Sequence, residues 1–187
     1  MKKVDIENPA ALPGRWIQEN DTFSFHCHAG LACFNRCCQN INLFLYPFDV
    51  VQLKNRLAVS SDRFLDEYVD VVMREGNYFP DVLLRMSDNR EKSCPFLTDA
   101  GCAVYSDRPD VCRAFPVEHG LYYDAQKKDS RLVSFFKPPD FCLGPFESRE
   151  WTIQSWTVGQ EAVAYQRMTI EWSKVKQLFQ TDPWGHE

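Results

Sequence analysis

Glycine is scarce in this chain, with 8 residues in 187. Neither G-x-G-x-x-G nor the G-x-x-x-x-G-K-[ST] phosphate loop occurs, so no recognisable nucleotide cradle is present. Long apolar runs are missing too, and nothing approaches the roughly 20 residues that cross a bilayer as a helix. A positive surplus is absent: the formal charge is −5. That balance argues against nucleic acid or an anionic membrane as partner. No repeat of fixed period and no low-complexity stretch appear. Lys2 and Lys3 could open a signal peptide, but Asp5, Glu7, Asn8 and Pro9 break any apolar core behind them, so a cytoplasmic protein is expected.

Cysteine is what the chain has in excess. Cys27, Cys33, Cys37 and Cys38 fall within a dozen residues, and Cys94, Cys102, Cys112 and Cys142 follow. With 44% hydrophobic and 14% aromatic residues, a chain of this length buries a core without staples. In a reducing compartment eight cysteines read as metal ligands or redox thiols rather than disulfides. The two quartets predict thiolate coordination of zinc, iron or an iron–sulfur cluster, with all eight as candidate ligands.

The spacing is C-x5-C-x3-C-C, then C-x7-C-x9-C-x29-C. Neighbouring side chains diverge on a strand, and by about 100° on a helix. Cys37 and Cys38 are therefore expected to serve different centres if two exist. Cys142 lies far beyond Cys112, so sites that borrow thiolates from both quartets are expected. Arg108 and Arg113 bracket Cys112, where a guanidinium would stabilise the negative charge of metal-bound sulfur. His26 and His28 flank Cys27, but eight thiols already suffice as ligands.

Along the chain, residues 1–24 read as a loose lead-in, broken by Pro9, Pro13 and Gly14. Residues 25–145 form the cysteine-cluster domain and 146–187 a C-terminal helical segment packed on it. Ile41 to Leu45 is a short strand, and Pro47-Phe48-Asp49 opens a helix. Ser60 or Ser61 caps a second helix, whose stripe is Phe64, Leu65, Tyr68, Val69 and Val72 and which Gly76 stops. Val82 to Met86 is a strand. Asp99-Ala100-Gly101 turns a hairpin, and Gln126 to Ser130 turns a second one between Gly120–Tyr123 and Arg131–Phe136. Arg108 to Arg113 is a helical turn. In the tail, Ser148 caps a short helix, and Thr157 to Gln160 box the start of a longer one striped by Ala164, Met168, Trp172, Val175 and Phe179. The fold class is α+β: a small cysteine-rich domain of short hairpins and helices around a metal centre, with a helical tail.

Three blocks carry a family likeness: the early cysteine run, Cys94-Pro95-Phe96-Leu97 with Gly101-Cys102-Ala103-Val104-Tyr105, and Arg108-Pro109-Asp110-Val111-Cys112-Arg113-Ala114-Phe115-Pro116, followed by Cys142. Together they resemble the YkgJ-type cysteine-cluster family, described as zinc- or iron-chelating, a domain also similar to part of flagellin lysine N-methylases. The resemblance implies that all eight cysteines are ligands. One departure stands out: the family opens with C-x2-C-x2-C-C where this chain has C-x5-C-x3-C-C, and it bears on the position of Cys27. It implies a metal-binding protein whose centre is structural or a store. Two other readings compete. One is an iron–sulfur redox enzyme or a component of a lysine N-methylation system, although no methyl-donor site is legible. The other is an interaction module that the metal merely stabilises.

Overall fold

The computed structural model describes residues 2–8, 11–75, 78–124 and 129–179. It is α+β. The strands are β1 (Lys2–Lys3), β2 (Arg15–Ile17), β3 (Thr22–Ser24), β4 (Phe44–Leu45), β5 (Val69–Val72), β6 (Asp81–Leu84), β7 (Leu97–Thr98), β8 (Gly101–Cys102), β9 (Val117–Asp124), β10 (Asp129–Phe136) and β11 (Glu150–Thr152). The helices are α1 (Pro47–Arg56), α2 (Ser61–Tyr68), α3 (Asp110–Ala114), α4 (Ile153–Gly159) and α5 (Val163–Gln177). None of the described helices is long and apolar enough to cross a membrane. The chain divides into two compact units that interleave in sequence: residues 1–34 with 111–164, and residues 35–110 with 165–187.

The first unit is built on the β9–β10 hairpin, whose strands pair antiparallel from Val117↔Phe136 to Asp124↔Asp129. The register sets Val117 and Leu121 on one face of the hairpin and Val133 and Phe135 on the other, and all four are buried, so both faces are covered. β1 joins one edge in parallel and β2 the other antiparallel, giving the order β1-β9-β10-β2. The expected loose lead-in is thus partly strand, because Trp16 and its neighbours satisfy their backbone groups against β10. A second ribbon pairs β3 with β11. Ile17, Phe23, Phe25, Val117, Cys142 and Trp156 form its core. Trp156 sits edge-on to Phe23 and Phe25, with centroids 5.7 and 5.5 Å apart, and its indole N–H donates to the Ala114 carbonyl at 3.0 Å. Burying such a ring is worth about 2–3 kcal/mol, and the hydrogen bond removes the cost of hiding its N–H.

The second unit holds the sheet β4-β6-β5 and the hairpin β7–β8, which forms where Asp99-Ala100-Gly101 predicts it. Gly101 has φ 114°, a conformation that favours glycine. Pro47 lies in the first turn of α1, and the Ser60 hydroxyl accepts the Arg63 N–H to cap α2. Phe64, Tyr68 and Phe96 stack in series at 5.3 and 5.6 Å, with Leu53, Val69 and Leu84 buried in the same unit.

Several elements depart from expectation. α2 ends at Tyr68 and the chain turns extended, so Val69 and Val72 belong to β5 rather than to a helical stripe. Leu65 is exposed. The proposed stop at Gly76 and the turn residues Gln126 to Lys128 lie outside the described residues. Thr152, not Ser148, caps α4, with its hydroxyl accepting the Ser155 N–H. Thr157 to Gly159 then lie inside α4 instead of opening α5. α5 buries Tyr165, Thr169 and Ser173, while Ala164, Met168 and Val175 face water. Two of its three buried positions are Thr169 and Ser173, small polar residues that hydrophobic periodicity cannot register. Thr169 is there because its hydroxyl donates to the Asp110 carboxylate at 2.8 Å.

His119 on β9 is half-buried beside the Ser134 hydroxyl, 3.0 Å from Nδ1, and desolvation of the ring pushes its pKa down to about 4. An unfolded histidine titrates near pH 6.5. Between about pH 6.5 and 4 the unfolded chain therefore binds a proton that the folded chain refuses, and stability falls as pH falls. The loss reaches about 3 kcal/mol at the acid end of that window. Urea midpoints at pH 7 and 4.5 should converge in His119→Gln relative to wild type. Protonation of the cysteine thiolates is common to both proteins, so the difference between them isolates His119; equal acid sensitivity would refute the assignment.

Candidate metal centre

Each unit contains four of the eight cysteines. Cys27, Cys33, Cys112 and Cys142 belong to the first, and Cys37, Cys38, Cys94 and Cys102 to the second. Each set combines two thiols from the early run with two from later loops. None of the eight is in a disulfide.

In the second unit, Cys37 and Cys38 lie in the short 3-10 turn Arg36–Cys38, which Asn35 enters in the left-handed region at φ 69°. Asparagine tolerates that region better than most residues. The turn brings the two sulfurs to 4.0 Å from each other, rather than letting them diverge. This differs from the expectation for adjacent cysteines because the tight turn departs from both strand and helix geometry. The chain then runs antiparallel to the segment before Cys94: the Cys94 N–H donates to the Cys38 carbonyl at 2.8 Å, Gln39 bridges Ser93, and the Asn40 N–H reaches the Lys92 carbonyl. This pairing holds Cys94 beside the early pair across more than fifty residues of sequence.

The hairpin β7–β8 carries Cys102 at its end. Burial raises the Cys102 thiol, while the Val104 N–H and the Arg108 guanidinium favour its thiolate and a charge on Cys37 opposes it. Burial also raises Cys94, offset by an N–H from Phe96 and reinforced by Cys102. In both cases the backbone two residues on donates to the sulfur, a hydrogen bond that stabilises a metal-bound thiolate. Cys37 goes the other way: its contact with Cys38, against the cost of burial, brings it down to about 7. Arg108 is buried, with its guanidinium over the Tyr105 ring at 3.9 Å and donating to the Tyr105 carbonyl. It thus acts on Cys102, which expectation had not singled out for it.

In the first unit three of the four cysteines, Cys27, Cys33 and Cys142, lie along the turn at Gly144. The Leu143 N–H donates to the Cys33 sulfur at 3.2 Å, which places Cys33 against the turn that Cys142 begins. The His26 N–H donates to the Gly144 carbonyl at 3.1 Å, bringing Cys27 to the same turn. Gly144 cannot carry a side chain, because a Cβ there would lie 2.4 Å from the Phe25 ring. Cys33 and Cys142 are buried, Cys112 is half-buried on α3, and Cys27 is exposed. Arg113, on α3 after Cys112, is buried and donates to the Gln160 carbonyl at 2.9 Å, with Glu161 3.6 Å away.

The donor chemistry fits a thiophilic metal. Four thiolates around zinc at about 2.3 Å would set sulfurs about 3.8 Å apart; Cys37 and Cys38 stand at 4.0 Å. Among the described residues no three thiols are mutually within 4.8 Å, so binding would draw Cys94 and Cys102 inward. The three ligand groups that do meet that limit are His26, His28 and Glu147.

A family model described as "CxxCxxCC: Putative zinc- or iron-chelating domain" matches residues 26–142, a span that holds all eight cysteines. No curated protein and no solved structure matches the chain.

Proposed function

The chain belongs to the CxxCxxCC family, and on that premise we propose that it binds two zinc ions, each in a four-thiolate site. Cys37, Cys38, Cys94 and Cys102 hold one. Cys27, Cys33, Cys112 and Cys142 hold the other. The observation that carries this reading is the division of the cysteines, four to each compact unit and two of each four from either end of the cysteine-rich sequence. The 4.0 Å separation of Cys37 and Cys38 favours two thiolates on one metal. A cubane iron–sulfur cluster would instead spread its cysteines over different irons.

Zinc closed by four thiolates keeps no open position, so it supplies folding energy and cross-linking rather than a reactive water. The residues around it do the rest. The N–H groups of Phe96, Val104 and Leu143 support sulfur charge, and Arg108 offsets it near Cys102. Eight cysteines outside any disulfide suit a reducing, cytoplasmic setting.

Anaerobic purification followed by elemental analysis and an absorption spectrum tests the reading. Two zinc equivalents in a colourless protein are expected. Visible charge-transfer absorption with iron and acid-labile sulfide would replace zinc by an iron–sulfur centre. Absence of any metal would overturn thiolate coordination altogether.

A further inference from the structure

We propose that His26, His28 and Glu147 form a separate, open zinc site on the first unit, independent of the thiolate reading. The ligand atoms of the three side chains all lie within 4.8 Å of one another. His28 Nε2 is 3.5 Å from a Glu147 oxygen. Two ligands on tetrahedral zinc with bonds of about 2.05 Å stand about 3.3 Å apart, so a small contraction closes this pair on a metal. The rings of His26 and His28 lie side by side, centroids 5.0 Å apart. Cys27, between them, is not part of the group.

The site is built rather than incidental to the surface. The N–H groups of His26 and Glu147 both donate to the Gly144 carbonyl, at 3.1 and 3.2 Å. One oxygen therefore fixes the backbone of two of the three ligands. Phe25, immediately before His26, is clamped twice more: its N–H donates to the Arg149 carbonyl at 2.8 Å, and its carbonyl accepts the Trp151 indole N–H at 2.7 Å. Phe25 is itself core.

Two histidines and one carboxylate bind first-row divalent metals and leave positions for water or an exchanging ligand. His26 is exposed, and His28 and Glu147 are partly so. Such a site is accessible and exchanges metal readily, unlike buried thiolates. The zinc site carries a structural signature. The Gly30 N–H donates to His28 Nδ1 at 3.2 Å, so the neutral ring keeps its proton on Nε2. Zinc takes the Nε2 lone pair. The Nε2 proton leaves to solvent, Nδ1 acquires one, and the Gly30 hydrogen bond breaks with no net proton release.

The test uses the full-length protein as purified, titrated with Zn²⁺ alone, by calorimetry and by following the Gly30 amide resonance. One equivalent beyond any thiolate-bound metal is expected, removable by a weak chelator, with the Gly30 amide shifting in proportion. Glu147→Gln and His28→Ala should each weaken that equivalent by more than about 100-fold, beyond the roughly 10–100-fold of outer-sphere partners. Metal held by the cysteines should stay unchanged in both variants. The proposal fails if wild type takes no further equivalent, if the Gly30 amide stays still on saturation, or if both variants bind as wild type does. If the purified protein proves to hold no thiolate metal, yet this equivalent titrates and disappears in Glu147→Gln, the thiolate reading falls and this site stands.

Discussion

Stripping metal from the intact protein with a strong chelator under reducing conditions should unfold or loosen it across residues 25–145. Zinc bound by four thiolates contributes on the order of 10 kcal/mol or more to folding, comparable to the whole stability of a domain. The reason lies in how the cysteines are distributed. Each quartet joins an early loop to later ones, so each bound ion would close a long loop within its own unit. Cys102→Ser should lower metal content by one equivalent and loosen the second unit, and Cys142→Ser should do the same for the first. Fragments 1–75 and 76–187 should each bind poorly, because the cut severs both units. Limited proteolysis with metal analysis reads all of this. An apo protein as resistant as the loaded one, or a fragment retaining a tight four-thiolate site, would refute the shared-site arrangement.

Asp49→Ala should destabilise the second unit by about 3 kcal/mol. Asp49 is 1% exposed. One oxygen accepts the Tyr46 N–H at 2.8 Å, holding the entry to α1; the other accepts the Asp110 N–H at 2.9 Å, the first residue of α3. Alanine leaves both N–H groups buried without this acceptor, at about 1–3 kcal/mol each. Relief of repulsion from Asp110 offsets part of that. The negative surroundings are visible at Tyr46, whose phenol is pushed up to about 12 by burial and by Asp110, Asp49 and Asp81, against Arg74. Asp49→Asn keeps one acceptor oxygen and should fall between. Urea unfolding at pH 7 measures both variants. A loss below about 0.5 kcal/mol for alanine would show that the two hydrogen bonds are not maintained in solution.

Asp49 also shows where sequence reasoning stops. An aspartate in the first turn of a helix is expected from local electrostatics, and it is there. Its second bond, to a backbone amide sixty-one residues away, leaves no local trace. The same holds for α5. Its existence follows from composition, but its buried face is chosen by Tyr165 against Phe48, centroids 4.9 Å apart, and by Thr169 on Asp110. A hydroxyl at a core position scores as polar in any periodicity count. Arg113 gives a third case: its place beside Cys112 leaves no local trace that it is 2% exposed and donates to the Gln160 carbonyl, forty-seven residues away.

By itself the sequence determined the chemistry on offer: eight thiols, no nucleotide loop, a family, two hairpins and the first two helix starts. Those are local properties, set by residue type, turn propensity and short spacing. Only the tertiary structure decided the partition. Which thiols share a unit depends on strand pairings such as Gln39 with Ser93, and on contacts such as Leu143 with Cys33. Whether adjacent cysteines diverge or converge depends on one left-handed residue, Asn35. The grouping of His26 and His28 with Glu147 required the Gly144 carbonyl to gather segments more than a hundred residues apart. Long-range backbone hydrogen bonds and buried polar pairs carry that information, and neither has a periodic signature along the chain.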